Sequence, residues 1–85
     1  MDASPPDDSE AKIRALASEV AGVLAIEKCR VRKSGLNLLT DIHVVVDGGI
    51  SVRQGHRIGH AVKDRLMGSD LPVTDVVVHI EPNSF

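Results

Sequence analysis

Apolar residues recur at helical spacing in the first third of the chain, which predicts an amphipathic helix. The residues on this stripe are Ile13, Leu16, Ala17, Val20, Val23 and Leu24. Asp7, followed three residues later by Glu10, has the form of a capping box, so we expect the helix to start between Asp7 and Ser9. Gly22 weakens this helix locally, and we expect it to continue past that position.

A second apolar stripe at helical spacing lies in the latter half of the chain. Its members are Val52, Ile58, Val62 and Leu66. Ser51 and Gln54 form a capping box before it, and Gly68 and Pro72 follow it. These signals predict a second helix whose stripe faces the core.

Three other segments alternate apolar and polar residues, which is typical of strands with one buried face. The first runs from Ile26 and points Cys29 and Val31 inward; the second spans Leu38 to Asp47; the third spans Asp75 to Glu81. The inward residues of the last two are Ile42, Val44, Val46, Val76, Val78 and Ile80. The opposite side, called the open face below, carries Asp41, His43, Val45, Val77, His79 and Glu81.

The predicted order is therefore α-β-β-α-β, an α/β (α+β) fold. The first two strands should form an antiparallel hairpin, and the second and third, joined through a helix, should be parallel. Each strand has one aliphatic side, so both helices should cover the same face of a three-stranded mixed sheet. This is a ferredoxin-like layer that lacks one strand. Residues 1–8 read as a linker or tail, and residues 9–85 as one domain.

Composition excludes several classes of protein. Phe85 is the only aromatic residue and the net charge is −2, so neither base stacking nor phosphate binding is expected, and we predict no nucleic-acid partner. Cys29 is the only cysteine, which rules out an internal disulfide. The longest apolar run has six residues, 21–26, so we expect a soluble, intracellular chain that could be part of a larger protein.

The histidines carry the candidate chemistry. His79 and Glu81 project to one face of a strand, and His43 projects to the same face from the expected neighbour. Two imidazoles and a carboxylate are three of the four ligands of a tetrahedral Zn²⁺ site. The alternative is that these are solvated side chains, with a surface hydrogen bond between His79 and Glu81.

His56 and His60 are four residues apart, so they stack on one side of the second helix. They lie in the layer opposite the open face. His56 could join the strand ligands only around a sheet edge or from the strand ends. Such a pair is also common on a solvent-exposed helix face.

Four segments together resemble the cytoplasmic C-terminal domain of cation diffusion facilitator metal transporters. They are VRKSG at 31–35, DIHV at 41–44, SVRQGH at 51–56 and VVVHIEP at 76–82. The similarity extends over residues 10 to 83 and is carried by the order and spacing of the segments. It implies a metallochaperone-like domain that forms a homodimer beneath an N-terminal transmembrane domain, on the cytoplasmic side.

The resemblance also implies a ligand set. His43, His56, His79 and Glu81 match metal ligands of the family, and His56 could bridge two ions. Zn²⁺ is the first expectation, with Cd²⁺, Fe²⁺ and Mn²⁺ as other divalent candidates. The position of Glu27 is commonly a histidine ligand, and a carboxylate there could shift preference toward harder ions. His60 matches no ligand.

Three functional hypotheses follow. The first is a dimerising regulatory domain whose closure is promoted by bound metal and which promotes transport by the membrane part. The second is a metal-independent dimerisation module that uses Val45 and Val77 as contact area. The third is a small acylphosphatase-like hydrolase. We disfavour the hydrolase and expect no enzyme, because no convincing arginine-bearing anion loop precedes the first helix.

Overall fold

A computed structural model describes residues 8–83, which form two helices and three strands. The elements are α1 (Ser9–Ser18), β1 (Ala25–Ser34), β2 (Asn37–Val46), α2 (Val52–Met67) and β3 (Val73–Pro82). The order α-β-β-α-β is the one that the alternation of helical and strand periods predicts, so the fold class is confirmed.

The three strands form one mixed sheet in the order β1-β2-β3. β1 and β2 are antiparallel, and the turn between them contains Gly35 at a φ of 64°. β2 and β3 are parallel, with His43 directly opposite His79 and Val45 opposite Glu81. The parallel register thus brings histidines 36 positions apart in the sequence to neighbouring places on one face.

The core lies between the sheet and the two helices. Even-numbered residues of β2, such as Ile42 and Val44, are fully buried, whereas His43 and Val45 are only half-buried. α1 packs on β1 and α2 packs on β3, and the helices contact each other. Both helices therefore cover the same face, as predicted, and Cys29 belongs to this core.

The predicted length of the first helix was wrong. α1 ends at Ser18, and Gly22 adopts a φ of 94°, a left-handed conformation that a helix cannot contain. A Cβ on Gly22 would also lie 2.6 Å from Ile58 Cδ1, so α2 approaches the chain closely here. Val20 and Val23 still pack against the core from the connection, but Leu24 is 57% exposed.

The predicted helix and strand ends are partly corrected. Asp7 lies outside the described residues, and Asp8 is the N-cap of α1 without a side-chain hydrogen bond. The capping box of α2 is confirmed, because Ser51 Oγ accepts from the Gln54 amide and Gln54 Oε1 accepts from the Ser51 amide. Val52 is not in the core but 92% exposed, at the first position of α2. β3 begins at Val73, two residues before the predicted start.

Candidate metal centre

The open face is centred on two adjacent imidazoles. His43 on β2 and His79 on β3 are direct partners in the parallel register, and their side chains leave the sheet in the same direction. The rings stack with centroids 4.3 Å apart and planes 17° from parallel. Four ring nitrogens are thus concentrated in one small region of the surface.

Each imidazole is paired with a carboxylate on the other strand. Glu81 on β3 holds His43, with Oε2 2.5 Å from Nδ1, and Asp41 on β2 holds His79, with Oδ1 2.8 Å from Nε2. The His43 pair is the less exposed of the two. These diagonal contacts follow from the register, because each carboxylate lies two residues from the histidine on its own strand.

A bulge in β1 brings Glu27 to the same face. Strict alternation from the buried Cys29 would point Glu27 toward the helices. The register shifts between Ile26 and Lys28, so Ile26 packs on the core and Glu27 reaches Glu81 and His43. Such a β-bulge adds one residue to a strand and thereby redirects a side chain, often near a functional site.

The two glutamates affect each other's ionisation. A hydrogen bond with Glu81, and the repulsion of its charge, raise the pKa of Glu27 above the ordinary glutamate value. Hydrogen bonds from His43 and Glu27 lower the pKa of Glu81. The pair therefore concentrates negative charge next to an imidazole, an arrangement that suits a cation.

Among residues 8–83, two groups of three donors could each hold a metal ion. One contains Asp41, His43 and His79, the other contains Glu27, His43 and Glu81, and the donor atoms within each lie within 4.8 Å of one another. Imidazole nitrogen and carboxylate oxygen are donors that Zn²⁺ and related divalent ions accept. The residues present therefore fit such an ion.

Four of the five residues expected in the metal site converge on the open face: Glu27, His43, His79 and Glu81. His56 does not join them within the protomer. It is exposed on α2, where it lines a groove with Ile80 and Pro82, and its ring lies 4.5 Å from that of His60 in an edge-to-face arrangement. The separation agrees with the expectation that His56 comes from the layer opposite the open face.

Sequence reasoning placed Asp41 on the open face but assigned it no role. Its contact with His79 depends on the alignment of two strands that are far apart in the chain. The available signal was its spacing, because Asp41 lies two residues from His43 on the same strand face. Asp41 is therefore the donor that the sequence analysis missed.

The fold and the donor groups define a small α/β domain whose exposed sheet face carries residues that could hold a divalent cation. The sequence profile described as "Cation efflux protein, cytoplasmic domain" matches residues 5–83. The chain belongs to this family. The family description names a domain of cation efflux proteins and not a hydrolase. No helix among the described residues is long and apolar enough to cross a membrane.

Curated relatives support the same assignment. The chain is 33% identical over 82 residues to Metal tolerance protein C1 of Arabidopsis thaliana, covering 96% of this chain and 17% of that protein. It is 29% identical over 84 residues to the cation-efflux pump FieF of Serratia proteamaculans, covering 99% of this chain and 28% of the pump. The chain thus spans less than a third of the length of these relatives.

Solved structures share the fold. A cadmium form of the MamM CTD variant H285D superposes with a TM-score of 0.83 at 27% identity, covering 87% of this chain and 91% of that one. A nickel form of the E289H variant gives a TM-score of 0.83 at 26% identity, covering 87% and 94%. The fold of this chain is thus found in domains that have been solved in metal-bound forms.

Proposed function

We propose that this chain is the regulatory domain of a cation efflux transporter, that it forms a homodimer, and that a divalent cation, first of all Zn²⁺, stabilises the closed arrangement of the two protomers. The observation that carries the proposal is the convergence of His43, His79, Glu81 and Glu27 on one exposed sheet face. The relatives named as metal tolerance proteins and efflux pumps support a transport role for the whole protein.

The mechanism is linkage between metal binding and conformation. Each donor group in one protomer offers three donors, and a tetrahedral ion needs a fourth. His56 lies across the edge strand β3 and does not join either group in its own protomer, so we infer that a second protomer supplies it. An ion held between protomers binds the closed dimer better than the open one and therefore shifts the population toward closed.

The exposed apolar surface favours dimerisation even without metal. Val77 is 49% exposed on the open face, and Val45 is half-buried on the same face, beyond the two histidines. Burial of such side chains in a dimer interface would stabilise a small domain with an aliphatic core. This is also the observation that supports the second candidate function, a metal-independent dimerisation module.

Calorimetric titration with Zn²⁺, paired with sedimentation velocity, separates the two functions. The regulatory proposal predicts saturable binding and a more compact dimer on metal addition. His60→Ala is the control, because His60 belongs to neither donor group, and its affinity should stay within about threefold of wild type, as for other surface substitutions. A dimer that takes up no Zn²⁺ would support only the metal-independent dimerisation module. A chain that stays monomeric at tens of micromolar would contradict both functions.

A further inference from the structure

The turn between β1 and β2 presents an apolar side chain to solvent. Leu36 is 91% exposed, and a Cβ placed on the neighbouring Gly35 would meet nothing within 4 Å. Ser34 and Asn37 form the last pair of the β1–β2 register, so the two residues between them project from the end of the sheet. A single exposed leucine is common on a protein surface. The meaning of Leu36 therefore depends on the residues around it.

Positive charge is concentrated beside this leucine. Four basic residues lead into the turn: Lys28, Arg30, Arg32 and Lys33. No aspartate or glutamate lies between residues 28 and 40, although the whole chain has a net charge of −2. The first three basic residues alternate with the buried Cys29 and the half-buried Val31, so they form an exposed row along the edge strand β1. Residues 32–37, called the hairpin tip below, thus combine positive charge with an exposed apolar side chain.

The hairpin tip lies at the end of the domain where α1 begins. α1 lines a cavity with residues 68–71, which follow α2, whereas Gly22, beyond the end of α1, lies against Ile58 in the middle of α2. The two helices therefore run antiparallel, and α1 begins near the end of α2. The Leu38 amide donates a hydrogen bond to the Pro72 carbonyl, which joins this end of the helices to the base of the hairpin. In the proposed transporter the membrane domain precedes this one, so its connection reaches α1 from the side of the hairpin tip.

We propose that the hairpin tip docks on the anionic surface of the lipid bilayer, with its basic side chains at the headgroups and Leu36 in the interfacial layer. The proposal deepens the proposed function and rests on it for the position of the domain beside a membrane. The cytoplasmic leaflet carries anionic lipids, whose surface potential attracts basic segments. Apolar side chains next to basic ones are the combination by which interfacial segments bind such a surface.

The expected contact is weak and sensitive to salt. Each basic residue near an anionic surface strengthens binding about fivefold. The Debye length falls from about 10 Å at 0.1 M salt to about 3 Å at 1 M, so binding should be lost at high salt. A membrane domain on the same chain holds the tip close to the bilayer, which gives even a weak contact a high effective concentration. The contact would then favour one orientation of the domain beneath the bilayer.

Co-sedimentation of the chain with lipid vesicles, in the presence of a chelator, tests the proposal. Wild type should bind vesicles of phosphatidylcholine mixed with phosphatidylserine at about 0.1 M salt, and should not bind phosphatidylcholine alone. The double variant Arg32→Gln/Lys33→Gln removes two charges from the tip and should bind about 25-fold more weakly. Leu36→Ser should bind at least about threefold more weakly, because its apolar contact is lost.

The double variant Arg53→Gln/Arg57→Gln is the matched control. It removes the same charge from the first half of α2, and both arginines are exposed there. That end of the helix lies away from the hairpin tip, so binding to the mixed vesicles should stay within about twofold of wild type. All of these variants should keep the Zn²⁺ affinity of wild type, because none of the changed residues belongs to a donor group.

Several results would overturn the docking of the tip. They are equal binding to both kinds of vesicle, no binding to the mixed vesicles at about 0.1 M salt, and a loss in the control as large as in the tip variant. A tip variant that is monomeric where wild type is a dimer would show that the tip contacts protein instead. A chain that binds Zn²⁺ but no vesicles keeps the proposed function and loses this inference. A chain that binds vesicles through the tip but takes up no Zn²⁺ keeps the membrane contact and loses the proposed function.

Discussion

His43→Ala is the substitution with the largest expected effect on metal binding. His43 is the one residue common to both donor groups, so its removal leaves each group with two donors instead of three. His43 also touches Glu81 and stacks on His79, and therefore orients members of both groups. A Zn²⁺ position with two donors from its own protomer has half of its tetrahedral shell left to fill from elsewhere.

The magnitude follows from this double membership. Loss of an indirect partner of a metal costs 10- to 100-fold in affinity, and a direct ligand should cost at least as much. We therefore expect Zn²⁺ affinity to fall by at least about 10- to 100-fold at each position, or about 1.4 to 2.8 kcal/mol. His43 lies on the open face and not in the buried core, so the metal-free variant should fold like wild type.

Competition with a chelator of known affinity measures the change, and circular dichroism of the metal-free chain checks the fold. His60→Ala is the control on the same protein, because it also removes one imidazole but from outside both groups. The reasoning is refuted if a folded His43→Ala variant binds Zn²⁺ within threefold of wild type. It is equally refuted if His60→Ala loses as much affinity as His43→Ala.

Other substitutions test the glutamate pair and the end of α1. Glu27→His should tighten Zn²⁺ binding by at least about tenfold, since imidazole replaces a carboxylate; unchanged affinity in a chelator competition would remove Glu27 from the site. Glu27→Gln should raise the free energy of unfolding at pH 7, because the hydrogen bond with Glu81 raises the pKa of Glu27 and so disfavours its ionised form in the folded chain. That gain should fade as the pH falls through the raised pKa of Glu27, and it should be absent below the ordinary value of 4.5, where both states are protonated. Urea denaturation with chelator present, at pH 7 and at acid pH, would reveal a gain of the wrong sign. Gly22→Ala should cost about 2–5 kcal/mol, from about 1–2 of left-handed backbone strain and about 1–3 of overpacking against Ile58. Gly35→Ala, whose Cβ would meet nothing within 4 Å, should cost the strain alone, so equal urea midpoints for the two variants would contradict the contact.

Hydrophobic periodicity by itself determined the order of the elements and the face of each strand. The alternation around Ile42 and Val44 places His43 on the open face without any knowledge of the partner strands. The same holds for His79 and Glu81 on β3. These inferences succeeded because successive side chains of a strand point to opposite faces, so the order of residues alone shows which ones share a face.

The tertiary structure decided where the periodic patterns stop. α1 ends at Ser18, and the chain then turns at Gly22, where α2 brings Ile58 close to the backbone. A local apolar stripe does not show such packing between helices. Val52 has helical spacing relative to the core residues of α2, yet it is 92% exposed at the first position of the helix. Periodicity gives the direction of a side chain and not the extent of the surface that it meets.

The tertiary structure also decided which donors meet. Asp41 contacts His79, and Glu81 contacts His43, only because α2 and its connections set β2 and β3 in one particular parallel register. Glu27 reaches them through a bulge that a strict alternation does not predict. Register and bulges depend on how separate segments pack together, so the sequence determined the residue types of the candidate centre, whereas packing determined their pairing.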